Sequence, residues 1–245
     1  MGPFPISRRQ SPTTSMVQLN LSQREIILKL VYYGPALSGK TTNLQVIYQM
    51  LDPKSRGRLM TLDTADDRTL FFDLLPIFFK TNAGFKVKLK LYTVPGQVMH
   101  NSTRRIVLAG ADGVVFVADS QLREAKANND AWKGMVENLK QNGLDVEDIP
   151  IVIQFNKRDL PDIRSDEEIE KIRQTGREPV FKAVAVEGKG VLETLYAVLK
   201  ASFQALNTKH DFERKFGLQE RDFLRAIFKN VDLKTRGINL GEDLA

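Results

Sequence analysis

The sequence contains no cysteine, and this absence excludes two kinds of site at once. Neither a disulfide framework nor a thiolate-ligated metal site can form. Intracellular compartments keep thiols reduced, so a chain without disulfides agrees with that environment. We therefore expect a cytoplasmic protein.

Long apolar runs are also missing. No segment approaches the roughly 20 consecutive apolar residues that a membrane-spanning helix needs. Gly2 could suggest myristoylation, but Ile6 stands where that motif requires Ser or Thr. The last residues, Leu244 and Ala245, carry no lipidation motif. We therefore expect no direct membrane anchor.

The balance of charge is basic, with a formal net charge of +6. Such a charge can serve nucleic acid or an anionic membrane. However, Lys86, Lys88 and Lys90 alternate with apolar residues, as on one solvated face of a strand. No combined aromatic and basic readout motif is present. We therefore expect no nucleic-acid partner.

With 245 residues, 42% of them hydrophobic, the chain is long enough for one α/β domain with extensions or for two small domains. Residues 1–23 are rich in Pro, Ser, Thr and Gln and lack apolar periodicity, which predicts a disordered N-terminal arm. The polar segment 53–68 predicts a mobile loop.

Beyond the arm, apolar runs alternate between strand and helix patterns. Strands are predicted at 25–33, 69–80, 85–94, 113–119, 149–155 and 179–185, and helices at 40–51, late in 95–110, up to about 142, at 166–174 and at 191–206. The turn residues 81–84 indicate an antiparallel hairpin. The alternation predicts an α/β fold with a mostly parallel central sheet and helices on both faces.

The C-terminal segment 207–245 lies outside this alternation. Its apolar residues suggest an amphipathic helix interrupted near Gly217: Phe212, Phe216, Phe223, Leu224, Ile227 and Phe228. One interpretation is a helix docked on the domain. The other is a partner-binding segment.

Residues 34–41 match the phosphate-loop pattern G-x-x-x-x-G-K-[ST], between a predicted strand and a predicted helix. Backbone N–H groups of such a loop hold polyphosphate oxygens. Lys40 should reach the β- and γ-phosphates, and the Thr41 hydroxyl should bind Mg²⁺. The predicted nucleotide contacts here are Gly34, Ala36, Leu37, Ser38, Gly39, Lys40, Thr41 and Thr42.

The tetrapeptide 156–159 (Asn-Lys-Arg-Asp) follows another strand and predicts a guanine reader. The Asp159 carboxylate can accept from guanine N1–H and the 2-amino group, and when buried it would be unpaired with adenine. Asn156 can bond the base and tie down the phosphate loop, and the Lys157 stem can lie over the ring. Ala185 stands where a backbone N–H would contact guanine O6.

A third motif, Thr-Val-Pro-Gly-Gln at 93–97, resembles a γ-phosphate sensor. The Gly96 N–H can contact the γ-phosphate, and Gln97 can orient the attacking water. Thr69 could add a Mg²⁺-bound hydroxyl. All three motifs follow strands, so they should converge at one sheet edge. The chain is therefore expected to bind GTP and GDP with Mg²⁺.

Five segments together resemble the MglA family, bacterial Ras-like small GTPases of cell polarity and motility: 31–35, 38–44, 68–73, 92–98 and 156–161. The resemblance implies a Ras-like phosphate-loop G domain over 24–206, flanked by the arm and by a C-terminal helical extension over 207–245. It implies Arg68 as a built-in arginine finger, beside the catalytic Gln97 and Lys40. The implied partners are a roadblock/LC7-type activating protein (MglB-like) and polarity or motility effectors, with recruitment to a cell pole.

Two positions depart from the common Ras-like pattern. Thr93 replaces an Asp that supports the Mg²⁺ shell, and Asp73 is a candidate to compensate as part of the metal site with Thr41 and Thr69. Ala36 replaces a Gly, and its methyl group would approach the γ-phosphate and Gln97. The alternative to a hydrolysing switch is therefore a GTP-bound adaptor with very slow hydrolysis. A phosphate-loop kinase is a third possibility, against which segment 156–159 argues.

Overall fold

The computed structural model describes residues 18–20, 22–62, 72–95, 101–231 and 233. Four predicted site residues lie outside these ranges: Arg68, Thr69, Gly96 and Gln97. The described part of the chain contains one sheet with the strands β1 (Gln18–Asn20), β2 (Glu25–Tyr33), β3 (Met60–Leu62), β4 (Phe72–Lys80), β5 (Lys86–Thr93), β6 (Gly113–Asp119), β7 (Ile151–Asn156) and β8 (Val180–Lys182).

The strand order is β3-β4-β5-β2-β6-β7-β8, with β1 beside β2. Strands β5, β2, β6, β7 and β8 pair in parallel, and β4 is antiparallel to β5. Every residue of β6 is buried, as expected for a central parallel strand covered on both faces. The mostly parallel sheet with one antiparallel hairpin is therefore confirmed.

Helices cover both faces of this sheet. Their bounds are α1 (Lys40–Met50), α2 (Asn101–Leu108), α3 (Ala125–Gln141), α4 (Asp166–Thr175), α5 (Val191–His210), α6 (Phe212–Phe216) and α7 (Glu220–Phe228). Helices α1, α5, α6 and α7 share one apolar core, whereas α2, α3 and α4 contribute to a second one. Among these helices, none has both the length and the apolar character needed to cross a bilayer.

Two short strands correct the sequence prediction. Strand β1 pairs antiparallel with the first three residues of β2, where β6 has not yet begun. The prediction of a disordered arm over 1–23 is therefore wrong for 18–20. Strand β3 pairs antiparallel with β4, so the prediction of a mobile loop over 53–68 is wrong for 60–62. Each of these strands forms by hydrogen bonding to the backbone of a longer neighbour. Three residues are too few to show an alternation of apolar and polar side chains in the sequence.

The described part of the C-terminal extension packs on the domain. Helix α5 continues past the predicted end at residue 206 to His210. Left-handed backbone at Asp211 and Gly217 ends α5 and α6, which confirms the predicted interruption. The Phe223 ring of α7 lies 5.5 Å from Phe79 of β4 and 5.0 Å from Phe203 of α5, measured between ring centroids. The docked-helix interpretation is therefore confirmed for residues 212–228.

This packing predicts that Phe223→Ala destabilises the whole domain. Phe223 is 1% exposed, so the truncation leaves a cavity and should lower the free energy of unfolding by about 3–5 kcal/mol, measured by urea denaturation. The control Ile106→Ala, at a side chain that is 62% exposed, should change it by no more than about 0.5 kcal/mol. Equal effects of the two substitutions would contradict integration of α7 into the core.

Candidate nucleotide-binding site

The predicted motifs lie at one edge of the sheet. Residues 34–39 follow β2, residues 94–95 follow β5, and residues 157–159 follow β7. These three strands run parallel to one another, so their carboxyl ends share this edge. The predicted convergence is confirmed for the described residues of each motif.

Close approach determines the backbone of the phosphate loop. A Cβ on Gly34 would overlap the Val117 carbonyl oxygen, and one on Gly39 would overlap the Asn156 amide nitrogen. Both glycines also have positive φ, at 149° and 98°. Leu37 has a φ of 60°, unusual for a bulky residue, and its side chain is 87% exposed. Glycine at positions 34 and 39 is therefore required by space as well as by conformation.

Lys40 begins α1, and its ammonium group is folded back under the loop. Nζ donates to the carbonyls of Gly34 (3.2 Å) and Pro35 (2.5 Å). Burial, helped by the nearby cations Arg104 and Lys157 and opposed by Asp73, lowers the pKa of Lys40 to about 7. A polyphosphate held here would raise this pKa again, because its negative charge favours the protonated amine.

The Asp73 carboxylate accepts hydrogen bonds from three threonine hydroxyl groups. Thr41 Oγ1 donates to Oδ2 over 2.6 Å, Thr93 Oγ1 to Oδ2 over 2.9 Å, and Thr61 Oγ1 to Oδ1 over 2.9 Å. Asp73 and Thr93 face each other because Leu74 of β4 pairs with Tyr92 of β5. A carboxylate beside the Thr41 hydroxyl is an oxygen donor set that suits Mg²⁺. The geometry thus agrees with the predicted compensation for Thr93.

Asn156 joins the phosphate side of the site to the base side. Its Nδ2 donates to the Ser38 carbonyl, and its Oδ1 accepts from the Ala185 N–H, both over 2.9 Å. The predicted tie to the phosphate loop is therefore present. The Ala185 N–H, predicted to contact guanine O6, already has this acceptor, so a base oxygen would have to share it.

Asp159 differs from the expectation of a buried carboxylate. The residue is exposed, three positions after the end of β7. Burial of this carboxylate would therefore have to come from a bound base. Its predicted choice of guanine over adenine depends on that contact and stays a prediction.

Two charged residues that the sequence analysis did not single out also belong to this edge. Asp119 ends β6 and pairs with Lys157 over 2.6 Å. Arg104 of α2 is buried, donates from Nε to the Pro95 carbonyl over 2.9 Å, and lies 5.4 Å from the ring centre of Tyr33. A charged residue directly after the apolar run of β6 was the available signal for Asp119. The sequence around Arg104 gave no such signal, because no neighbouring residue indicates that this arginine is buried.

Residues 13–202 match the model of the ADP-ribosylation factor family. Over 182 residues the chain is 50% identical to the mutual gliding-motility protein MglA of Myxococcus xanthus strain DK1622. The match covers 74% of this chain and 93% of that protein. The chain belongs to the MglA family of small GTPases. A more distant relative is the Ras-related protein Rab-32C of Dictyostelium discoideum, 24% identical over 188 residues, or 75% of this chain and 77% of that protein.

Membership of the MglA family confirms the resemblance inferred from the sequence and the Ras-like G-domain fold. The ADP-ribosylation factor model ends at residue 202, near the middle of α5. Helices α6 and α7 therefore lie beyond the part of the chain that the family model describes.

The environment of Lys40 predicts that nucleotide affinity depends on pH. Below about pH 7 the Lys40 amine is already protonated and binding needs no proton uptake. Above that pH the amine is neutral, and binding must take up a proton, so GDP affinity should fall by up to about tenfold per pH unit. Equilibrium titration with a fluorescent GDP at pH 6.5, 7.5 and 8.5 measures this.

A matched control separates Lys40 from general effects of pH. Lys133→Met, on the exposed surface of α3, should keep the pH dependence of the parent, whereas Lys40→Met should bind weakly and without it. An unchanged GDP affinity of the parent across this range would contradict the assignment.

Proposed function

We propose that this MglA-family protein is a molecular switch that binds GTP, hydrolyses it to GDP with Mg²⁺, and recruits effectors of cell polarity and gliding motility in its GTP form. The observation that carries the proposal is the Asn156 side chain, which links a complete phosphate loop to the guanine-reading segment. The relative that is 50% identical is a gliding-motility protein by name, which supports the cellular role.

Each residue has a role in this reaction. The buried Lys40 ammonium would lie beside the β- and γ-phosphates, since it is already held against the phosphate loop. Thr41, Thr69 and Asp73 would hold Mg²⁺, which when bound neutralises developing charge on the phosphate oxygens. Gln97 would orient the attacking water, and Arg68 would stabilise charge on the transferred group.

The proposed activating partner is a roadblock/LC7-type protein of the MglB kind. Arg68 is supplied by the chain itself, so such a partner would act by positioning Arg68 and Gln97 instead of inserting an arginine. We further propose a cytoplasmic protein that its partners recruit to a cell pole, with no nucleic-acid ligand.

The experiment that tests the switch is single-turnover hydrolysis of bound GTP, with and without the roadblock-type partner. We expect strong stimulation, which Arg68→Ala or Gln97→Ala should reduce by about 10³-fold, because both groups act on the transferred phosphoryl group. GTP binding should be retained in both variants.

Arg58→Ala provides the matched control, as an exposed arginine in the same segment of the chain. It should hydrolyse GTP at the stimulated rate of the parent. A parent rate that the partner does not raise would contradict the switch, and a parent-like Arg68→Ala would contradict the arginine finger alone.

One observation favours a second candidate, a GTP-bound adaptor with very slow hydrolysis. Ala36 is exposed on the phosphate loop and, unlike Leu37, has no left-handed backbone. Its methyl group therefore fits the loop without strain, and any effect would fall on the groups that meet over the γ-phosphate. GTP binding would be spared while the approach of Gln97 or Arg68 is hindered. Membership of a small-GTPase family gives no support to the third possibility, a phosphate-loop kinase.

Ala36→Gly distinguishes the two candidates. If the methyl group obstructs the reaction, the substitution should raise the single-turnover rate, alone or with the partner, by about tenfold or more, as expected for relief of a misplacement near the reacting atoms. The GTP dissociation rate, measured in parallel, should stay near that of the parent. Identical hydrolysis rates in the two proteins would remove the case for the adaptor.

A further inference from the structure

We propose that Asp119 is a positioning residue for nucleotide binding, which anchors the Lys157 ammonium group so that the lysine stem lies along the guanine side of the site. This inference rests on the proposed guanine-nucleotide function. It concerns a residue outside the three nucleotide motifs, on the neighbouring strand β6.

Both oxygens of the Asp119 carboxylate have partners. Oδ2 lies 2.6 Å from Lys157 Nζ, and Oδ1 accepts from the Gln121 N–H over 3.0 Å. The Asp119 side chain is only 5% exposed, whereas that of Lys157 is 27% exposed. The carboxylate is therefore a fixed anchor, and the lysine is the member of the pair that reaches toward solvent.

The backbone of Asp119 is fixed as well. Asn128 of α3 accepts from the Asp119 N–H through Oδ1 over 3.0 Å and donates from Nδ2 to the Asp119 carbonyl over 2.9 Å. This amide continues the hydrogen bonding of the strand beyond the point where the ladder ends. Helix α3 thereby holds the position of the carboxylate independently of the guanine-reading loop.

Lys157 needs such an anchor. Its φ is 65°, a left-handed conformation that is rare for a long side chain and that persists where surrounding contacts determine it. A lysine stem also has four rotatable bonds and strongly prefers water around its charge. With its ammonium bound to Asp119, the stem is held at both ends and presents a constant apolar edge to a base.

The segment after β6 and the segment after β7 are also joined by backbone hydrogen bonds, which do not involve the Asp119–Lys157 ion pair. The Ser120 N–H donates to the Asn156 carbonyl over 2.9 Å, and the Arg164 N–H donates to the Ser120 carbonyl over 2.8 Å. Loss of the Asp119 charge should therefore release the Lys157 side chain while the loops stay in place. The predicted effect is on the lifetime of the bound nucleotide and not on the fold.

The test measures dissociation of fluorescent GDP and of a non-hydrolysable fluorescent GTP analogue from the full chain. Asp119→Asn keeps the shape and an acceptor for the Gln121 N–H but loses the charge. It should accelerate release of both nucleotides by about tenfold, as expected when a buried charge loses its pairing with a partly exposed one. The GDP to GTP ratio of rates should not change, because the contact is on the base side.

A double-mutant cycle shows whether Asp119 acts through the lysine. Lys157→Ala should accelerate release at least as much, and Asp119→Asn added to it should have no further effect. The control is Asp112→Asn, a partly buried carboxylate before β6 that accepts from the Lys29 N–H over 2.7 Å and should release nucleotide at the parent rate. Melting temperatures are measured for every variant.

Three outcomes would overturn the proposal: parent-like release from Asp119→Asn, additive effects in the double variant, or a changed ratio between the two nucleotides. If Asp119→Asn does not fold, Asp119→Glu replaces it. Its retained but displaced charge should accelerate release less than Lys157→Ala and add nothing to that variant. Absence of saturable GDP binding by the parent would instead overturn the proposed function, so the two failures are distinguishable.

Discussion

The geometry of the candidate nucleotide-binding site depends on one buried amide group. The Asn156 side chain must satisfy a donor and an acceptor away from water, and it finds them in two different loops, at the Ser38 carbonyl and the Ala185 N–H. Gly39 permits this approach because it has no Cβ. A change in either loop therefore leaves a polar atom unpaired, which ties the phosphate-binding and base-binding halves to a common geometry.

Around this amide, charged side chains of both signs are concentrated. Lys40 and Arg104 are buried close to each other, and Lys40 is supported by carbonyl oxygens where a carboxylate would have neutralised it. Asp73 is directed at hydroxyl groups, and Asp119 at Lys157. The edge is thus preorganised for a polyanion, since the desolvation of its cations is already part of the folded state.

The predictable part of the structure is the part in which local pattern and tertiary role agree. Strand β6 is apolar throughout because it is covered on both faces, and β5 alternates because only one face is buried. Strands β1 and β3 were not predictable, since their neighbours determine them. Within the site, the phosphate loop and the segment 156–159 were recognisable from the sequence. The Asp119–Lys157 pair was not, because it depends on the order of the strands, which local sequence patterns do not reveal.

Helix α7 has a consequence for biosynthesis. Its Phe223 packs against Phe79 of β4, a contact between positions separated by more than half of the chain. A ribosome delivers the chain from its N-terminus, so β4 emerges long before the helix that covers it. Until α7 leaves the exit tunnel, the apolar surface around Phe79 stays exposed. The contact between β4 and α7 therefore forms only after every strand of the described sheet has been translated.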